Sequence, residues 1–147
     1  MDIPATIDAP NPPEFHHGCV VCGTGNPDGL QLRYEIDSDG VATSTWLPSM
    51  SHQSYPDRIH GGVLAMLLDS AMVHALWSKG VAGVTVEMKI RYLRSVDWFS
   101  PVRITGEVLE SRHGLHFCRA TVNQQGADCA RADAKFLAIS TPTSTPS

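Results

Sequence analysis

The chain has 147 residues, 42% of them hydrophobic and 18% charged, with 11 Lys and Arg against 15 Asp and Glu. That length suits one domain rather than two. The mildly acidic balance, with no basic block, excludes a dedicated nucleic-acid binder, which needs clustered positive charge against phosphates. The charged share lies below the usual value of about 25%, which points to a surface covered by a partner or by another copy of the chain.

In chain order, residues 1–14 hold four prolines and read as an extended arm. The start, Met1-Asp2-Ile3-Pro4, has neither a basic segment nor an apolar one, so no signal peptide is expected. No apolar run reaches the roughly 20 residues a membrane span needs. A cytoplasmic location with reduced thiols is therefore expected. Residues 29–36 alternate apolar and polar, the period of a half-buried strand. Asp37, Ser38, Asp39 and Gly40 form a turn cluster, and 41–47 resumes as the second strand of a hairpin. Residues 48–59 are irregular, broken by Pro48 and Pro56.

Gly61 and Gly62 open a segment free of Gly and Pro through Lys79, which Gly80 ends. Nearly every face of it is apolar, so the spacing predicts a helix buried all round and wrapped by the rest of the chain. Alternation then predicts strands over 84–93, 101–109, 115–123 and 129–139, the last with Ala130, Ala132, Ala134, Phe136 and Ala138 on one face. The tail, 140–147, is low in complexity and reads as disordered. The order β-β-α-β-β-β-β, over one domain at 15–139, is α+β: one helix and a mostly antiparallel sheet.

Asp69 stands in the middle of the most apolar segment, where an ionised carboxylate is costly unless it is hydrogen-bonded or near water. One reading is a side chain that tips out to bind a loop backbone; the other is a base or nucleophile at the wall of a dry cleft. Asp69 follows Gly62 by seven residues, two helical turns, so both share one side of the helix. The Gly61-Gly62 pair leaves backbone N–H groups bare at the positive end of the helix dipole, where donors can stabilise an oxyanion.

Ile59-His60-Gly61-Gly62 followed by Asp69 resembles the His-Gly-Gly…Asp signature of hotdog-fold acyl-CoA thioesterases of the phenylacetate-pathway (PaaI-like) type. The segment 83–94, ending Tyr92-Leu93-Arg94, is similar to that family's central strand, and Cys19-x-x-Cys22-Gly23…Asn26-Pro27-x-Gly29-Leu30 to an N-terminal element of many members. The resemblance implies a sheet curled round one helix, and dimers or dimers of dimers with the thioester at the dimer interface. It implies hydrolysis of an acyl-CoA without a metal or organic cofactor. Asp69 would be nucleophile or general base, and the Gly61 N–H would polarise the carbonyl with Gly62 beside it. Thr85 would place the water, and Gln53, or failing it Ser54, would bind near the thioester. Arg94 would meet the CoA phosphates. His60 would act as a general acid or, as the commoner role, hold the helix start. Asp57 stands where glycine is common in the family, and Ser95 where proline often follows. The alternative function is a hotdog protein that binds an acyl-CoA or another small apolar ligand without hydrolysing it.

Cys19 and Cys22 have a metal-knuckle spacing, with His16 and His17 just before them. Two adjacent histidines make an awkward tetrahedron, so buried thiols with no metal are the expectation. Cys118, Cys129, His113 and His116 are the residues able to complete a site from across the fold. His74, five residues from Asp69, is about 140° round the helix and is read as a core or interface histidine.

Overall fold

The computed structural model describes residues 16–140; the arm at 1–14 and nearly all of the tail at 140–147 lie outside them. The elements are β1 (Glu35–Ile36), β2 (Ala42–Trp46), a 3₁₀ turn (Met50–His52), α1 (Gly61–Ser78), β3 (Gly83–Tyr92), β4 (Val102–Arg112), β5 (Leu115–Gln124) and β6 (Ala127–Ala138). The strands make one antiparallel sheet in the order β1-β2-β4-β5-β6-β3. The sheet wraps α1, which packs chiefly on β4 and β5, so the expected order and architecture are both present.

The sheet admits the helix because its middle row is made of small residues. Ala42 pairs with Gly106, Gly106 with Ala120, and Ala120 with Ala132. A Cβ on Gly106 would lie 2.4 Å from the Ala71 backbone. Larger residues flank that row: Ile104, Val122 and Phe136 are buried on the same face as Leu67, Leu68 and Met72 of α1. Of the β6 face predicted from alternation, Ala130, Ala132, Ala134 and Phe136 are buried, whereas Ala138, at the strand end, is exposed.

Two expectations change. The strand predicted over 29–36 is regular only at Glu35–Ile36, because Gln31 takes a φ of 58° and interrupts the alternation. Leu32 and Tyr34 are nevertheless buried, and the backbone N–H groups of Leu30 and Leu32 donate to the carbonyls of Val20 and Val21. Nor is α1 buried all round. Gly62 is exposed, and Met66, Asp69 and Val73 are half-buried, at a spacing that runs one open stripe along the helix. Asp69 lies on that stripe. By length and hydropathy alone α1 is also apolar enough to cross a membrane, but here its apolar side chains fill the concave face of the sheet.

Candidate active site

The start of α1 is fixed by His60. Its Nδ1 accepts the Gly62 N–H at 2.8 Å, so the ring takes the N-cap role that Ser, Asp or Asn usually fills. His60 therefore has the helix-holding role, and the Gly62 N–H is occupied by it. The Gly61 carbonyl accepts from the Tyr92 hydroxyl at 2.8 Å, while the Gly61 N–H makes no hydrogen bond among the described residues. Asp57, which stands where the family often has glycine, has a φ of 65°. Asp tolerates this left-handed conformation better than most residues, so the turn keeps its shape.

Asp69 projects from the open stripe towards β3, where Thr85 donates its hydroxyl to Oδ1 at 2.5 Å. Simple alternation places Thr85 on the opposite side of the strand from Met88 only if the strand is regular, and it is not. Thr85 pairs with Phe136 and Glu87 with Lys135, leaving Val86 as an extra residue. This bulge puts Thr85 on the helix side of the strand, opposite Phe136, where it stays exposed, while the partly buried Met88 and Ile90 pack on the core further on. Burial raises the Asp69 pKa from its ordinary 3.8, and the Thr85 hydrogen bond partly offsets it.

A cleft of about 370 Å³ lies at the start of α1, lined by Ser54, Arg58, Gly61, Tyr92 and Arg94 among others. It brings together three residues singled out from the sequence, Gly61, Ser54 and Arg94. Gln53 is not among its lining residues; it is exposed and bridges to Ile59. Arg58 had no signal of its own in the sequence, since a loop arginine is common, and Tyr92 entered only as part of the Tyr92-Leu93-Arg94 strand motif, without a role. Neither Arg58 nor Arg94 forms an ion pair among the described residues.

Gly61 and Asp69 are eight residues apart on α1, about 80° round the helix. At about 1.5 Å per residue the separation along the axis is about 12 Å. A donor and a base that act on one carbonyl must each come within about 3 Å of it. One chain therefore does not bring both groups to the same atom.

His74 is buried and stacks on Tyr34 with ring centres 4.2 Å apart; its pKa is pushed down to about 3, mainly by burial. It lies in the core as expected, but it is not the satisfied histidine the sequence suggests, since its buried Nε2 has no hydrogen-bond partner among the described residues. Trp46 and Trp77 are buried, and Trp98 stacks on Phe99. His16 Nδ1 lies 3.5 Å from Cys22 Sγ, while His17 turns away to Thr24. Cys118 and Cys129 are buried elsewhere, and His116 bonds Ser111.

The family model of the Thioesterase superfamily matches residues 57–130, half of the chain, which takes in α1, β3 and the Asp69–Thr85 pair. The chain belongs to the thioesterase superfamily. Among solved structures, a thioesterase superfamily protein is 27% identical with a TM-score of 0.78, over 82% of this chain and 60% of its own. This chain thus spans 60% of that relative's length, under two thirds. A hypothetical thioesterase from Streptococcus pneumoniae, solved with coenzyme A, is 26% identical with a TM-score of 0.66, over 72% of this chain and 88% of its own. The PaaI protein of the Escherichia coli phenylacetic acid degradation operon is 24% identical with a TM-score of 0.70, over 76% of this chain and 81% of its own, and shows the shared hotdog fold. A comparison with curated protein sequences finds no match.

Proposed function

We propose that this thioesterase-superfamily protein hydrolyses an acyl-CoA or related acyl thioester to the free acid and the CoA thiol. The observation that carries the reading is the Asp69 carboxylate, half-buried on the open stripe of an otherwise apolar helix and held by Thr85. Relatives support it. The pneumococcal thioesterase was solved with coenzyme A. Two further structures of it carry an Asp-to-Ala and a Thr-to-Ala change sixteen positions apart, and Asp69 and Thr85 here have the same spacing.

In this mechanism Asp69 acts in one of two ways. As general base it takes a proton from water, whose oxygen attacks the thioester carbonyl. As nucleophile it attacks the carbonyl itself, and water then cleaves the anhydride. In both, the C–S bond breaks and the CoA thiolate leaves and is protonated. The Gly61 N–H, at the positive end of α1, stabilises the oxyanion. The offset of about 12 Å supports a site in which Asp69 of one protomer works with the partner subunit's Gly61, with a dimer as the working unit.

The sheet edge supports this assembly. β3 is an edge strand ten residues long, with no strand on its outer side among the described residues, and with Val84 44% and Val86 52% exposed. Such an edge is open to pairing with a second copy, and that copy would cover the side on which Thr85 and Asp69 lie. Arg58 and Arg94, at the cleft beside Gly61, suit the phosphates of the CoA moiety.

The test is free-thiol release from aryl, short, medium and long acyl-CoAs by the wild type and by Asp69→Asn. The wild type is expected to turn over at least one class and the variant to lose that activity while it still binds. Turnover by folded Asp69→Asn close to the wild-type rate overturns the mechanism. Single-turnover hydrolysis in ¹⁸O-water separates the two roles, since only the nucleophile carries label into the Asp69 carboxyl.

A further inference from the structure

We infer that His16, Cys19 and Cys22 form a three-donor site for one zinc-type ion, clamping the N-terminal turn to the core helix. This reading does not depend on the thioesterase chemistry. The three ligand atoms all lie within 4.8 Å of one another. The Cys22 Sγ to His16 Nδ1 distance is 3.5 Å. Zinc bonds of about 2.3 Å to sulfur and 2.0 Å to nitrogen at tetrahedral angles span about 3.5 Å between S and N, so that edge of the tetrahedron is already in place.

The turn is built to present sulfur. The Val21 N–H donates to Cys19 Sγ at 3.3 Å, and backbone donors aimed at a sulfur favour the thiolate, which is the form that binds metal. Gly23 and Gly25 make the turn unable to accept side chains. A Cβ at 23 would lie 2.4 Å from both the Cys19 nitrogen and the His17 carbonyl, and one at 25 would fall within the His17 ring. The two histidines, awkward together on paper, divide their tasks: His16 faces Cys22 and His17 bonds Thr24. The His16 ring also packs edge-on against Trp77 of α1, with centres 4.5 Å apart.

Charge is compatible with an ion at this place. Two thiolates and a neutral imidazole bring the total with Zn²⁺ to zero, which suits a pocket where Cys22 is buried. Three protein donors leave the fourth tetrahedral corner for water or another exchangeable ligand. The ion would hold the turn to α1 through His16 and Trp77, and the following extended segment through Arg33, whose Nη1 donates to the carbonyls of Cys22 and Leu32.

The experiment uses untagged full-length protein purified without chelator. One equivalent of zinc per chain is expected. Replacement by Co²⁺ is expected to give a thiolate-to-cobalt charge-transfer band and the intense visible bands of a four-coordinate ion. Cys19→Ser and Cys22→Ser should abolish the charge-transfer band or reduce it by one thiolate, whereas Cys118→Ser should leave it unchanged. Wild-type protein that holds no zinc and shows no such band on titration with Co²⁺ overturns the site. So does a Co²⁺ spectrum indifferent to Cys19→Ser, or recovery of Cys19 and Cys22 as a disulfide from reducing, zinc-containing buffer.

Discussion

Thr85, on the bulged strand β3, donates its hydroxyl to Oδ1 of Asp69 on α1 at 2.5 Å. Burial raises the Asp69 pKa, and this hydrogen bond, made to the charged form, pulls it back. A reaction that needs the carboxylate slows as pH falls through that raised value. Thr85→Val removes the offset and leaves burial, so the acid limb of the rate should move to higher pH. Initial rates of thiol release across the pH range measure it. A limb that stays where the wild type has it would show that Asp69 is not the titrating group.

Asp69→Asn should separate function from stability. The folded pKa lies above the ordinary 3.8, so the carboxyl contributes stability that is fully present below 3.8 and lost as pH rises through the raised value. At neutral pH the wild type therefore carries an ionised group the fold disfavours. Asn removes the charge and still accepts from Thr85. The variant is expected to melt at or above the wild-type temperature at pH 7, to lose that advantage in acid, and to lose about 10²–10⁴-fold in turnover if Asp69 is the base. Melting curves at two pH values with a thiol-release assay check both halves.

The sequence made the helix and its carboxylate plain for physical reasons. An apolar run closed by Gly80, whose φ is 75°, reads as a helix, and a lone acid within that run stands out. The β3 bulge was hidden because 84–93 alternates without a break: an extra residue changes which side chains face in, not their order. The open stripe of α1 was hidden for a related reason. Met66 and Val73 are as apolar as buried Leu67 and Met72, and only the position of the sheet edge distinguishes them. Tyr92 meets Gly61 through tertiary packing, which spacing does not encode. For His16 and His17, adjacency suggested competition, and the backbone turn resolves it by pointing them apart.

Gly106 tests the close approach of helix and sheet. Its missing side chain is what lets Ala71 come down on β4, since a Cβ would lie 2.4 Å from the Ala71 carbonyl carbon and oxygen. Neither is the end of a flexible side chain, so α1 or β4 must shift. Gly106→Ala is expected to cost about 1–3 kcal/mol, the usual range for overpacking, and to lower the melting temperature. Gly114→Ala, at an exposed turn, serves as a comparison for φ-strain alone, because Gly114 has a φ of 79° and nothing within 4 Å. Equal melting temperatures for Gly106→Ala and wild type would mean that the helix sits further from the sheet.

The cross-protomer site can be tested by complementation. Gly61 is the first residue of α1, where proline is well tolerated. His60 before it has φ −60° and ψ 134°, the region a residue preceding proline prefers, and a Cβ at position 61 meets nothing closer than Tyr92 at 3.4 Å. Gly61→Pro thus deletes the proposed oxyanion donor while keeping the helix, with an expected loss of about 10²–10³-fold in turnover. In a heterodimer of Gly61→Pro with Asp69→Asn, a site shared between protomers receives both intact groups once and neither group once. Two inactive homodimers should therefore yield a heterodimer with one working site. If both groups came from the same chain, every site in that heterodimer would lack one of them. Differently tagged chains, co-expressed and purified through both tags, allow the measurement. A correctly assembled heterodimer as inactive as its parents would rule out the shared site.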